Sequence, residues 1–109
     1  MKRGELWTAA GGADYAGKPR PVVVVQDDRF EDVKSVTICS LTTDLADAYI
    51  FRLTVEATEA NGLRTTSRLM ADKITTIPKT KLRYRIGKLS DADLERLNEA
   101  IIIFLGLAG

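Results

Sequence analysis

The distribution of apolar residues divides the chain into a β-patterned body and a helical tail. Residues 4–10 alternate, Leu6 and Thr8 on one side and Trp7 and Ala9 on the other, which predicts a first strand. Residues 11–19, rich in glycine and closed by Pro19, read as a loop longer than a simple hairpin needs. The most apolar run follows, Val22-Val23-Val24-Val25. Valine is stiff at χ1 and packs well on a pleated surface, so four in succession predict a strand buried on both faces. Residues 27–32 form a polar turn, residues 35–42 a second β-rich run, and residues 43–48 another loop. Residues 49–55 alternate strictly, with Ile50, Arg52 and Thr54 opposing Phe51, Leu53 and Val55, as in a half-buried strand. Asn61-Gly62 marks a turn. Residues 67–77 are the last β-rich region, with a break or bend at Ala71-Asp72. Pro78 ends it, and residues 79–82 suit one helical turn.

The period then changes. Leu94, Leu97, Ile101 and Leu105 recur at helical spacing, and Ser90 with Asp91 and Asp93 makes an N-terminal cap suited to the positive end of the helix dipole. Gly106 is a natural stop. Residues 101–105 are apolar around most of the helix, so one face is predicted to cover the sheet and another to meet a second copy in a homodimer. Short strands followed by one capped helix predict an α+β fold: a small, strongly bent antiparallel sheet or barrel with a C-terminal α-helix.

At 109 residues, the chain is expected to form one domain over residues 1–109 with a single core. Sixteen basic against 15 acidic residues leave a net charge of +1, so any site for a polyanion must be assembled locally. One cysteine, Cys39, excludes an internal disulfide and a multi-cysteine zinc site, and its β-branched company suggests a small buried hydrophobe. No apolar run is long enough to span a bilayer, and residues 1–5 lack a signal peptide's apolar core, which suggests a cytoplasmic location without membrane partners. Histidine is absent. That removes the usual acid/base near neutral pH and every Ser-His or Cys-His nucleophile pair. Enzymatic chemistry would have to run on arginine, carboxylate, lysine, tyrosine or hydroxyl groups, or on an oxygen-ligated metal.

Arg20 stands between Pro19 and Pro21 at the mouth of the valine strand. Each proline fixes its own φ, and Pro21 also holds Arg20 extended. A guanidinium on so stiff a backbone is well placed to grip an anion; the plainer reading is a surface arginine. Asp27, Asp28, Glu31 and Asp32 could form a magnesium-type cluster, although a solvated turn accounts for them better. Asp72-Lys73 resembles a fragment of a metal-dependent nuclease site, without an evident partner acid. Trp7 and Tyr15 could stack on unpaired bases, with Trp7 equally suited to the core. Arg3, Lys18, Arg20, Arg68 and Lys73 supply local cations. Lys79, Lys81, Arg83, Arg85 and Lys88 form a second basic stretch, better read as solubilising surface than as an RNA path.

Residues 2–7, 17–26, 38–43 and 67–74, in that order and spacing, together with the ending over residues 89–107, resemble MazF/PemK toxins over nearly the whole chain. The resemblance implies an SH3-like barrel, a homodimer and a metal-independent, cofactor-free endoribonuclease that cuts single-stranded RNA at short sequences. It also implies a cognate antitoxin whose C-terminal tail occupies the RNA groove. Arg20 and Thr42 match the family's catalytic pair, with Thr43 one position away as the competing hydroxyl. Ser67 and the loop around Tyr15 match residues that border the substrate. The implied RNA-binding set is Arg3, Trp7, Tyr15, Lys18, Thr43, Ser67, Arg68 and Lys73. Without a metal, RNA is most simply cut by its own 2′-OH, leaving a 2′,3′-cyclic phosphate and a 5′-OH. A planar guanidinium suits the charged phosphoryl oxygens, whereas its very high intrinsic basicity keeps it protonated and makes it a poor base. Arg20 therefore fits an electrostatic clamp or general acid. The alternatives are a CcdB-like toxin, which shares the barrel but poisons DNA gyrase, and a catalytically decayed interaction protein.

Overall fold

The valine run behaves as its pattern predicts, and the other strands assemble around it. The structure, a computed structural model, describes residues 1–10, 19–46 and 49–107. Six strands are present among them: β1 (Glu5–Ala9), β2 (Arg20–Val24), β3 (Ser35–Thr42), β4 (Arg52–Val55), β5 (Ser67–Pro78) and β6 (Leu82–Lys88), followed by α1 (Asp91–Phe104). They form one antiparallel sheet in the order β4-β5-β3-β2-β1-β6. Val22 and Val24 pack with Ala9, Val36 and Ile38 on one face, while Val23 and Val25 pack with Leu6, Cys39, Leu41 and Leu97 on the other. Each buried valine contributes roughly 1.5–3 kcal/mol relative to exposure, so β2 is anchored on both of its faces.

The expected bend lies in β5. Cys39 pairs with Ile74 and Leu41 with Leu69, so residues 70–73 bulge out of the ladder. Two contacts hold the bulge: the Cys39 thiol donates to the Met70 carbonyl at 3.1 Å, and the Ala71 N–H donates to the Phe51 carbonyl at 3.1 Å.

Three expectations need correction. Residues 67–77 are not the last β region, because the basic stretch contributes β6. Arg83, Tyr84 and Arg85 are exposed there while Leu82 and Gly87 are buried, the composition of a charged edge strand that discourages pairing with other chains. Residues 49–51 turn into β4 instead of joining it, the Arg52 N–H donating to the Tyr49 carbonyl at 3.0 Å. On α1 the fully buried side is Leu97 and Ala100; Leu105 is the C-cap residue and 56% exposed. Gly106 (φ +73°) turns the chain there, with its N–H on the Ile103 carbonyl and the Leu107 N–H on the Ile102 carbonyl, a Schellman ending. Ser90 caps the other end, accepting from the Asp93 N–H at 3.1 Å.

The edge strands β4 and β6 do not pair with each other among the described residues, so the expected strongly bent barrel is an open, bent sheet whose edges are bridged by the connection between β4 and β5. This segment lies against β6, with the Lys88 N–H donating to the Ala60 carbonyl at 3.0 Å. Buried Asn61 holds its shape, accepting from the Thr58 and Leu63 N–H groups at 2.9 and 3.0 Å and donating to the Glu56 carbonyl at 2.9 Å. Gly87 permits the approach. A Cβ there would sit 2.4 Å from the Ala60 carbonyl oxygen and the Asn61 carbonyl carbon, both backbone atoms that cannot swing away.

Gly87→Ala is accordingly expected to cost about 2–3 kcal/mol in urea denaturation. Gly106→Ala, with positive φ but open space around it, is expected to cost about 1 kcal/mol. Equal midpoints for wild type and Gly87→Ala would show that the connection is not pressed against β6.

Candidate functional site

The strand register assembles the site. Val22 pairs with Ser40, Val23 with Cys39 and Val24 with Ile38; continued by two residues, the same register sets Arg20 opposite Thr42. On the far side of β3, Thr42 pairs with Arg68; on the near side of β2, Arg20 pairs with Ala9. Cross-strand partners share a face of the sheet, so Arg20, Thr42 and Arg68 form a row in which two guanidinium side chains flank one hydroxyl. Two strand spacings, about 10 Å, separate the backbones of the two arginines. Each residue is at or next to a strand terminus, and all lie at the same end of the sheet. The row is on the face of Val22 and Val24, opposite α1. Arg20 and Arg68 are half-buried, with their Nε atoms shielded from solvent. The Thr42 hydroxyl accepts the Asp44 N–H at 3.1 Å, which leaves its own proton to donate.

Thr43 lies one residue on and faces the other way. With Thr8, Pro19, Pro21 and Ser67 it lines a cavity of about 600 Å³ at this same end of the sheet. Residues 62–65, Tyr84 and Ile86 complete the wall. The geometry thus separates the two adjacent threonines: Thr42 shares a row with Arg20, and Thr43 faces the cavity with Ser67. Ser67 is buried and donates to the Thr65 carbonyl at 3.0 Å.

The other sequence-predicted residues are dispersed. Arg3 is not in the row; its Nη2 donates to the Asn98 side chain of α1 and its N–H to Asp28 at 2.7 Å. Trp7 is half-buried against the Val22–Val24 cluster and donates its indole N–H to Glu5 at 3.1 Å, in keeping with its core alternative. Lys73 is exposed on the β5 bulge. Tyr15 and Lys18 lie outside the described residues. Tyr84 and Arg64 escaped the sequence reading. Tyr84 sits in a stretch read as basic surface, and Arg64 is brought to the cavity only by the connection folding over β6.

The carboxylates considered for metal binding have other occupations. Asp27 caps the turn at Asp28–Phe30 and pairs with Arg29 at 3.1 Å. Glu31 accepts from Lys2 at 2.7 Å and from the N-terminal ammonium at 2.9 Å, and these bonds hold its carboxyl down at about 2. Asp72 receives both Nε and Nη2 of Arg52, at 2.7 and 2.8 Å. The same guanidinium lies 5.9 Å from the ring centres of Tyr49 and Phe51. Burial pushes the Cys39 thiol up to about 12, which leaves it no nucleophilic role.

The model of the family of PemK-like, MazF-like toxins of type II toxin–antitoxin systems matches residues 2–105. The chain belongs to this family. It is 48% identical over 109 residues to the probable endoribonuclease MazF of Mycolicibacterium smegmatis, covering 100% of both chains. It is 32% identical over 117 residues to endoribonuclease MazF9 of Mycobacterium tuberculosis, covering 98% of each. Among solved structures, the Mycobacterium tuberculosis toxin MazF-mt6 superposes with a TM-score of 0.79 at 27% identity, over 94% of this chain and 96% of that one. A mycobacterial endoribonuclease in complex with its cognate antitoxin shares the fold, with a TM-score of 0.81 at 22% identity over 98% and 96%. The α+β architecture of this MazF-like chain, six antiparallel strands and a C-terminal helix, is therefore the family's own.

The Arg52–Asp72 pair has a consequence for acid stability. Arg52 hydrogen bonds hold the Asp72 carboxyl below the usual aspartate range, so the pair stabilises the fold fully above the unfolded-state pKa of about 3.9. That contribution is lost as pH falls through the lower folded value. Thermal melts from pH 7 to 2.5 are expected to show a shallower acid decline in Asp72→Asn than in wild type; parallel declines would mean the pair adds nothing.

Proposed function

We propose that this MazF-like toxin is a metal-independent, sequence-specific endoribonuclease acting on single-stranded RNA, with Arg20 and Thr42 at the cleaved phosphodiester. The observation that carries the reading is the cross-strand row: a guanidinium and a hydroxyl on adjacent strands, facing the same way, with Arg68 beyond. The 2′-oxygen of the substrate attacks the neighbouring phosphorus and gives its proton to water. The bond to the 5′-oxygen breaks, a 2′,3′-cyclic phosphate forms, and the leaving 5′-oxygen takes a proton from water. Arg20 clamps the phosphoryl oxygens as charge develops on them. Thr42 donates its free proton to the same oxygens, because its lone pair already holds the Asp44 N–H. Arg68 supplies a second positive charge, which a chain of net charge +1 must concentrate locally. Arginine stays protonated at neutral pH and serves here as clamp, not as base. Thr43, Ser67 and Lys73 border the RNA without entering the chemistry. Arg3 and Trp7 contribute at most indirectly, through the positions of β1 and α1.

A homodimer and a cognate antitoxin complete the proposal. Ile102, Ile103, Phe104, Leu105 and Leu107 leave an apolar stripe exposed at the end of α1, the kind of surface a second copy covers. The antitoxin follows from family membership and from the antitoxin-bound mycobacterial relative of the same fold.

With a long single-stranded transcript, Arg20→Ala and Thr42→Ala are each expected to lower kcat by about 10²–10³-fold while melting like wild type. Thr43→Ala should keep kcat within a few-fold, EDTA should change nothing, and fragments should carry cyclic phosphate ends. Near-normal cleavage by Arg20→Ala would refute the assignment. Inhibition of gyrase supercoiling without RNA cleavage would favour the CcdB-like alternative.

A further inference from the structure

The cavity on the far side of the strand ends has no part in the chemistry above. We propose that it receives one unstacked base of the RNA, covered by Tyr84, and so sets the base preference beside the cut. The proposal rests on the endoribonuclease reading and extends it to specificity.

Position is the first argument. Each residue of the catalytic row has a sequence neighbour in the cavity wall: Pro19 and Pro21 bracket Arg20, Thr43 follows Thr42, and Ser67 precedes Arg68. Side chains alternate faces along a strand, so row and cavity are the two sides of the same strand ends. A nucleotide whose phosphate is held at the row needs only to turn its base around those ends to enter the cavity. The intervening rim is one residue wide.

Chemistry is the second. About 600 Å³ lies within the range of small-ligand sites, roughly 300–1,000 Å³, and suits a heterocycle. Prolines 19 and 21, Leu63 and Ile86 give apolar walls, and none of the described residues that line the space is acidic. Tyr84 is 74% exposed, yet its backbone is pinned by an N–H donated to the Thr8 hydroxyl at 3.2 Å. It therefore offers an available ring on a fixed strand, which is what stacking on an unpaired base requires. Ser67, in the cavity wall, spends its proton on the Thr65 carbonyl, so what its hydroxyl has left for a base is acceptor capacity, suited to an N–H edge. Among the described residues a phosphate would find one cation here, Arg64, whereas a base finds walls, a ring and an acceptor.

The test compares wild type, Tyr84→Ala and Tyr84→Phe on a pool of long transcripts, with cleavage ends sequenced and kinetics measured on one preferred site. Tyr84→Ala is expected to relax the base preference at a single position beside the cut and to raise KM roughly tenfold, with kcat within about twofold. Tyr84→Phe, which keeps the ring, should retain both motif and KM. An unchanged motif and KM in Tyr84→Ala, with wild type cutting normally, would overturn the proposal while leaving the nuclease reading intact; an antitoxin side chain as the cavity's true occupant would give that result. If wild type cuts nothing, the nuclease reading fails by itself. The cavity is then judged by the fluorescence of a mixed-sequence RNA carrying 2-aminopurine. Quenching by wild type and not by Tyr84→Ala supports base binding, and no quenching overturns it.

Discussion

The register of β2 against β3 is the constraint on which the rest depends. Hydrophobic patterning alone leaves it underdetermined, since Val22, Val23, Val24 and Val25 are alike and all buried, and a slip of one residue would exchange valine for valine. The ends of the strand supply what the middle lacks. Gln26 accepts the Thr37 N–H at 3.0 Å just beyond β2, while the Val25 N–H donates to the Thr37 carbonyl at 3.0 Å. At the other end Pro21 has no N–H to offer a shifted partner. A slip by one would turn Arg20 into the cavity beside Thr43 and Ser67 and leave Thr42 facing a proline. The core therefore sets where β2 lies, and its flanking polar residues decide which face receives the guanidinium.

What could be read in advance follows from how local each signal is. The 35–42 strand is rich enough in β-forming residues to be placed in full, and the helix carries its own cap, charge bias and stop within eighteen residues. The strand at 82–88 was hidden because an edge strand needs polar residues. Arg83 and Arg85 break the apolar pattern on the very element whose exposed side they protect. Leu105 was misplaced for the opposite reason: the period continues through it, but the helix ends one residue earlier. Arg20 and Thr42 stood out through family resemblance and the stiff proline frame. Their opposition across two strands needed the register, and Tyr84 needed the fold, because no sequence pattern says that residues 62–65 close over β6.

Charge is distributed in the same economical way. A chain with a net charge of +1 cannot attract a polyanion as a whole. Several of its carboxylates are occupied away from the row: Glu31 with Lys2 and the N-terminus, Asp27 with Arg29, Asp72 with Arg52, and Asp93 with Arg96. Surface pairs of this kind add little stability individually. Each sets an acid beside a cation of its own, so these carboxylates add little net negative charge where they stand.

The strand ends explain how such a site operates without histidine. Proton transfer near neutral pH is what imidazole does well, and a chain lacking it must gain its rate by stabilising charge that appears during the reaction. That strategy rewards donors that need not move. Arg20 is fixed by two prolines and a buried strand, and Thr42 by the Asp44 N–H on its own oxygen. Arg68 stands beyond the bulge that the Arg52–Asp72 pair braces. On the proposed mechanism each donor is oriented by the sheet before RNA arrives, so the energetic work of ordering them is done during folding. A guanidinium, useless as a base, is well suited to that task because it stays charged whatever happens at the phosphorus.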